Sequence, residues 1–312
     1  MNQEIHLSGY QARDYSVVDY HMYELGSTGL QFRGPSSFSL QPKEYFSCIG
    51  AAQTFGCFCE YPFPELITRS IDVANLNLGY GGAGPEFFNR QSELIRYIND
   101  GKFAILQAMS GRSQSNSEFE TDGLEYLTRR SDGRKLGANE AYTELIQGSK
   151  LIRKLPPLRV SRVLARLLAA PKLKSIIAET RENWLRNQLE LIMKIEVPII
   201  FLWFSKRQPD YTEHFRSTGG IFSEFPQLIN QAMVDEVKEQ CEDYVEVVSR
   251  RGSPQPLFDR HTKKPTTVNT KADRLDLETS GVWTHNAYYP SPEMHEDAAS
   301  KLIPICKKFS GD

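Results

Sequence analysis

Long apolar runs are scarce in this sequence. The longest, Val197 to Phe204, has the length of a buried strand and falls far short of the ~18 residues that cross a bilayer. Cysteine is sparse and odd in number: Cys48, Cys57, Cys59, Cys241 and Cys306 make five, which fits a reducing compartment better than a disulfide framework. The Cys57-x-Cys59 pair has no second pair or neighbouring histidine to complete a tetrahedral zinc site. Buried free thiols are therefore expected and no metal. An excess of one charge is missing too. With 37 Lys+Arg against 39 Asp+Glu the formal net charge is -2, so nothing draws the whole chain toward nucleic acid or an anionic membrane. The start, MNQEIHLSGYQARDYS, lacks the basic and apolar regions of a secretory signal, and a cytoplasmic location is expected. Neither G-x-x-x-x-G-K-[ST] nor G-x-G-x-x-G occurs in a convincing form, which argues against a Walker-type ATPase or a Rossmann dehydrogenase. No cofactor is expected.

What the chain does have is material for a large core: 312 residues, 40% hydrophobic and 24% charged, the composition of an ordinary globular domain. Five apolar, β-branched or aromatic runs bounded by turn residues read as strands covered on both faces: Tyr45 to Ile49, Val73 to Leu78, Phe103 to Met109, Val197 to Phe204 and Tyr244 to Ser249. Helical patterns lie at Pro64 to Ser70, Glu86 to Ile98, Asn139 to Arg153, Val160 to Ala169, Lys172 to Ile195, Pro226 to Glu242 and Pro292 to Lys308. This alternation predicts a three-layer α/β/α domain with a five-stranded, mainly parallel sheet. A single domain over 1–312 is expected, with an N-terminal extension over 1–43 and a helical cap inserted over 118–195. Asp259 to Ser280 reads as a long polar surface loop.

In such a sheet, ligands bind beyond the carboxyl ends of the strands. That rule selects the loops Gly50 to Gly56, Asn77 to Gly84, Ser110 to Asn116 and Ser205-Lys206-Arg207. Gly50, Gly79 and Gly82 either bring backbone N–H groups close to an anion or oxyanion or close crowded turns. Gln53, Asn77, Arg112, Ser113 and Arg207 are candidate substrate contacts. Arg112 suits a phosphate, sulfate or carboxylate through forked hydrogen bonds, or else a salt bridge to an acid of the N-terminal extension.

The blocks IGAAQTFG, NLGYGGAG, QAMSGRSQSN and YYPSPEMHEDAASKL follow one another as do those of the SGNH-type hydrolase and acyltransferase superfamily, which they resemble. The resemblance implies an SGNH or flavodoxin-like fold, His295 as general base, and Gly79 and Asn116 as oxyanion donors. It also shows departures: Ala52 stands at the nucleophilic serine, Ala51 at the aspartate beside it, and Pro292 at the acid three residues before the histidine. Thr54, Ser113 and Ser115 are the nearby hydroxyls, each needing a placed base to act. A second resemblance covers nearly the whole chain. YQARDYSVVDYHMYELG, RGP, YFSCIGAAQTFGCFCEYPFPELI, NLGYGGAGPEFF and FPQLINQAMVDEV are similar to a bacterial family described only as a domain of unknown function, DUF6473. That resemblance implies that GAAQTFG, with Ala52, is a family trait.

His295 also sits at a helix start, where the dipole favours the neutral, base-competent imidazole, although any helix terminus can carry a histidine for capping. His285, beside Trp283 and Tyr288, is a second candidate base, and the remaining histidines read as structural or exposed. From Lys150 to Lys174 there are eight bases and no acid, with Arg159, Arg162 and Arg166 on one helical face; a solvated face of the cap or a contact to an anion, membrane surface or partner would each explain it. Three functions remain open. One is an SGNH-like enzyme modifying an acyl or related group on a carbohydrate or small metabolite. Another is a sulfotransferase-like transferase with an anionic nucleotide donor held by Gln53, Thr54, Arg112 and Ser117. The third is a non-catalytic binding protein for a small molecule or glycan with a degenerate hydrolase site.

Overall fold

The computed structural model describes residues 9–34, 40–147, 159–214, 217–270 and 281–311. The five apolar runs form strands β1 (Tyr45–Gly50), β2 (Ala74–Gly79), β3 (Ala104–Gln107), β4 (Ile199–Ser205) and β5 (Asp243–Val248). They pair in the order β5-β4-β3-β1-β2, every neighbour parallel. Register places Gly50 opposite Gly79 and Gln107 opposite Leu202. Every residue of β1, β3 and β4 is buried, which is why their sequences run apolar without alternation. Successive strands are added outward in opposite directions from β1 and β3, the place where a doubly wound sheet opens a crevice.

Helices cover both faces. On one side Leu94 and Ile98 of α4 (Ser92–Asp100), Trp184 and Leu191 of α6 (Arg159–Lys194), and Val234 and Val237 of α7 (Gln231–Lys238) pack with Leu76, Leu106 and Phe201 of the sheet. On the other, Phe63 and Ile67 of α2 (Phe63–Ile71) and Met294, Ala298 and Leu302 of α8 (Pro292–Ser310) pack on Phe46, Ile105 and Leu202. The two remaining helices used below are α1 (Ala52–Phe55), directly after β1, and α3 (Pro85–Asn89), after β2.

Several expected elements differ in detail. Glu86 to Ile98 divides into α3 and α4, because the Asn89 amide is drawn onto the carbonyl of Asn187 in α6 and Gln91 leaves helical geometry. The two helices around Lys172 are one, with Pro171 inside it. Pro226 to Glu242 is helical only from Gln231, where Asn230 caps the start by accepting from Met233 N at 3.1 Å. The segment expected as a helical cap opens instead with a three-stranded antiparallel sheet, Phe119–Glu120, Tyr126–Arg129 and Lys135–Gly137. Strands of two to four residues are too short to show a period. After them come α5 (Ala138–Gln147) and α6. Lys150, Arg153 and Lys154, the side chains of Arg159, Arg162 and Arg166, and residues 271–280 of the polar loop lie outside the described residues.

The N-terminal segment is tied down by a buried charge. Arg13 and the Tyr20 hydroxyl both donate to fully buried Asp14, the latter at 2.7 Å, and the same hydroxyl accepts from Phe58 N at 2.9 Å. This pins the helix Gly9–Asp14 over the loop that follows β1. Close backbone contact does the same for β2 and α1: a Cβ on Gly79 would lie 2.1 Å from the Phe55 backbone nitrogen. Backbone has little room to retreat there. Gly79→Ala is expected to lower stability by about 1–3 kcal/mol, the usual range for overpacking. Its urea midpoint checks this, and an unchanged midpoint would show that α1 moves freely.

Candidate functional site

The loops after β1, β2, β3 and β4 meet the helix Gly9–Asp14 and the segment before α8 around a cleft with two lobes. The narrow lobe, about 20 Å³, is walled by Tyr10, Ala51, Ala52, Gly82, Ser110, Arg112, Ser113 and Glu125. The wide lobe, about 200 Å³, is walled by Phe204, Ser205, Lys206, Ala287, Pro290 and Met294. Gln53, Phe225, Gln227 and Tyr288 belong to both walls, so the two lobes adjoin.

Beneath the narrow lobe is a frame of amides and glycines. Gln107, the last residue of β3, accepts through Oε1 from Ala51 N at 3.2 Å and from the Thr54 hydroxyl at 2.7 Å. A Cβ on Gly50 would lie 2.2 Å from Thr54 Oγ1 and 2.4 Å from Gln107 Oε1, so only glycine lets these two side chains meet. Asn77 donates to Thr54 O at 3.0 Å and accepts from Gly79 N at 2.9 Å. Gly50, Thr54, Asn77 and Gly79 are thus brought together as support below the cleft. Thr54 is corrected as a catalytic candidate: its hydroxyl is fully buried and held by an amide oxygen, which is no base. Asn77 also faces a separate cavity of about 460 Å³ toward Asp19, Arg33 and Arg260.

His295 is corrected as well. It lies in the first turn of α8, after Pro292 and the capping Ser291, but it walls neither lobe. The imidazole is fully buried between the rings of Phe63 and Phe204. Its Nδ1 accepts from Phe63 N at 3.2 Å, which places the proton on Nε2, an atom with no hydrogen-bond partner among the described residues. Burial, with the Arg33 charge adding to it, pulls its pKa down to about 3. The ring is neutral, as expected, yet sealed in the core. Nor does His285 serve: it is exposed, with Nδ1 3.0 Å from the Thr284 hydroxyl.

Asn116 does not reach the cleft. Its Oδ1 accepts from Glu118 N and Phe119 N, both at 2.9 Å, and its Nδ2 donates to Thr180 of α6 at 3.1 Å, so it closes a turn. Arg207 has the right place after β4 but no donor to spare. Nε donates to Glu224 O, Nη1 to Gln208 O and Pro209 O, and Nη2 to Pro226 O and Ile229 O. Burial lowers its pKa to about 10. It shapes the wall bearing Phe225 and Gln227 and lines neither lobe.

Gln53, Gly82, Arg112 and Ser113 do line the cleft. Gly82 has φ +76° and sits against Glu125. Arg112 donates to the Tyr288 hydroxyl at 3.3 Å, and its guanidinium lies 3.7 Å from Glu125 Oε1; the acid comes from the segment after β3 and not from the N-terminal extension. The set Gln53, Thr54, Arg112 and Ser117 does not converge, since Thr54 is engaged below and Ser117 donates to Glu179 at 2.6 Å. The sequence concealed Gln107, Gln227, Tyr288, Tyr10 and Glu125. A lone carboxamide ending an apolar strand is a legible signal for Gln107; Gln227 lies in a segment read as helix and Glu125 in the expected helical cap.

Two buried acceptors stand out on the shared wall. Gln227 donates from Nε2 to the Tyr288 hydroxyl at 3.3 Å, leaving its Oε1 without a partner, and Gln53 Oε1 is likewise buried and unpartnered among the described residues. Among those residues there is no group of three or more His, Cys, Asp or Glu placed to hold a metal ion, and no helix is long and apolar enough to cross a membrane.

Fold and cleft together define a doubly wound α/β protein with a crevice at its strand ends. More particularly, the chain belongs to the family described as "Domain of unknown function (DUF6473)", which matches residues 9–146 and 160–310. No curated protein matches it. Among solved structures it is similar to a gut microbial diltiazem-metabolizing enzyme, at 10% identity and TM-score 0.33, covering 67% of this chain and 39% of that one. It is also similar to a carbohydrate esterase family 2 enzyme with a carbohydrate binding domain from Corynascus thermopiles (Myceliophthora fergusii), at 8% identity and TM-score 0.40, covering 91% and 71%. An acetyl xylan esterase from the rumen bacterium Butyrivibrio proteoclasticus shows 11% identity and TM-score 0.34, covering 90% and 66%. The chain spans less than two thirds of the length of the first of these.

Proposed function

We propose that the protein holds a small, neutral, hydroxyl-bearing molecule in the strand-end cleft and forms no serine acyl-enzyme there. The observation that carries this reading is the pair of unpartnered buried oxygens, Gln53 Oε1 and Gln227 Oε1, on the wall common to both lobes. A buried acceptor left unsatisfied costs about 1–3 kcal/mol. Both oxygens are closed off from solvent, so a ligand reaches them once the two amides turn toward the cleft that their residues line; donating hydroxyl hydrogens to them there recovers that energy, and a polyol or glycan offers adjacent hydroxyls. Charge supports neutrality of the ligand. Arg112 is offset by Glu125, and all five Arg207 donors are used within the fold, so among the described residues the cleft holds no uncompensated cation cluster for a nucleotide phosphate. At the nucleophile position is Ala52, and His295 is outside the cleft.

Titration calorimetry with neutral monosaccharides, oligosaccharides and polyols tests this. Gln53→Leu and Gln227→Leu are each expected to weaken a bound compound by roughly tenfold, the equivalent of about one hydrogen bond. Binding that survives the double substitution unchanged, or a preference for anionic compounds throughout, would sink the reading.

A further inference from the structure

The cavity that Asn77 faces, about 460 Å³, lies apart from the cleft, and among the described residues none lines both. Residues 17–21, 60–62 and 260–263 wall it together with Asn75 and Asn77 of β2. At about 30 Å³ for a water-sized group, it has room for a molecule of roughly fifteen non-hydrogen atoms. Its buried side carries a cation without a counter-charge. Arg33 lines the cavity, is 5% exposed, and donates to backbone carbonyls: Nη1 to Phe55 O at 3.2 Å and Gly56 O at 2.8 Å, and Nη2 to Glu60 O at 2.7 Å. No carboxylate pairs with it among the described residues, and burial pulls its pKa below the ordinary value. Arg207 spends every N–H group on a carbonyl, whereas these three bonds leave Arg33 with two more to give.

On the exposed side of the cavity is Lys263, at φ +56°, a left-handed conformation that glycine takes freely and lysine holds at a cost. The acids at the cavity are mostly committed: Asp19 pairs with Arg260 at 3.0 Å and Glu65 with Arg69 at 3.1 Å, which leaves exposed Glu60. Arg33 and Lys263 together outweigh that one carboxylate. We propose that this cavity is a second ligand site, taking a small organic anion whose carboxylate or phosphate meets Arg33 and whose outer end lies by Lys263. A guanidinium fork matches two oxygens of either group, and the anion supplies the counter-charge that Arg33 lacks. The assignment uses no residue of the cleft and stands apart from the reading of the cleft.

Isothermal titration of the full chain at constant ionic strength with inorganic phosphate, glycerol 3-phosphate, succinate and citrate tests it. Saturable binding is expected from the phosphates or from the carboxylates, and whichever series binds names the anionic group. Lys263→Gly is expected to weaken that binding about threefold without lowering the urea midpoint, because glycine suits the left-handed backbone there. Glu60→Gln, also at an exposed position, is expected to tighten it by about the same factor. Gln53→Leu and Gln227→Leu should leave it unchanged. No saturable binding by any of these anions, or binding that neither charge change moves, overturns the proposal. Anion binding that disappears with Gln53→Leu and Gln227→Leu belongs to the cleft, and overturns both this site and the neutral-ligand reading.

Discussion

Arg207→Ala is expected to destabilise the protein by about 3–5 kcal/mol, one of the largest losses available from a single side chain in this fold. The guanidinium donates to five backbone carbonyls, those of Gln208, Pro209, Glu224, Pro226 and Ile229, at 2.6 to 3.2 Å. Removing it leaves several buried acceptors unsatisfied at about 1–3 kcal/mol each; water entering the void keeps the total below their sum. The plane also lies over Trp203, 4.9 Å from its centroid, and over Tyr211 at 4.5 Å. Arg207→Lys is therefore expected to recover only a minor part, because an ammonium has three donors and no flat face. Equilibrium urea unfolding of both variants measures this. Ligand affinity should fall along with stability, since residues 224–229 carry Phe225 and Gln227. Intact stability with lost binding would instead make Arg207 a substrate contact.

That residue shows where legibility in the sequence ends. The sheet was readable because its strands are buried on both faces: IIFLWFS has no polar residue before Ser205, and each strand announces itself as an apolar block between turns. The parallel sense of the sheet then followed from alternation, and the position of the cleft from strand direction. Gly50 and Gly79 were readable as crowded corners. What they are crowded against was not, because Thr54, Gln107 and Phe55 reach them from other points of the chain. Arg207 and Gln53 look alike in sequence, each a polar residue in a loop after a strand. One turns back into carbonyls of a loop some twenty residues on, and the other faces the cleft. The spacing of His295 from the start of α8 gave its place on the helix; only packing against Phe63 and Phe204 decided which way the ring faces. Local pattern fixes the backbone course, while the direction of a polar side chain depends on partners distant in sequence.

His295 makes the second large effect a matter of pH. Burial, with Arg33 adding to it, holds its folded-state pKa at about 3, against about 6.5 for a histidine in an unfolded chain. Between those values the unfolded chain takes up a proton that the folded protein refuses. Stability is therefore full above about pH 6.5 and is lost as pH falls through the window, by about 1.4 kcal/mol per pH unit from this one group. Carboxylates titrate mainly below about pH 5, so the interval from about pH 6.5 to 5 isolates the imidazole and should show a loss of roughly 2 kcal/mol. His295→Gln keeps an acceptor for the Phe63 amide but cannot titrate, and urea unfolding of this variant should be nearly flat over the same interval. A slope that persists in the variant would place the responsible group elsewhere. The same pair of proteins separates the two roles open to this residue. A histidine acting as base in the cleft would make turnover or binding depend on pH with a pKa near neutrality, whereas a histidine sealed behind Phe63 and Phe204 moves stability and leaves ligand affinity level across that range.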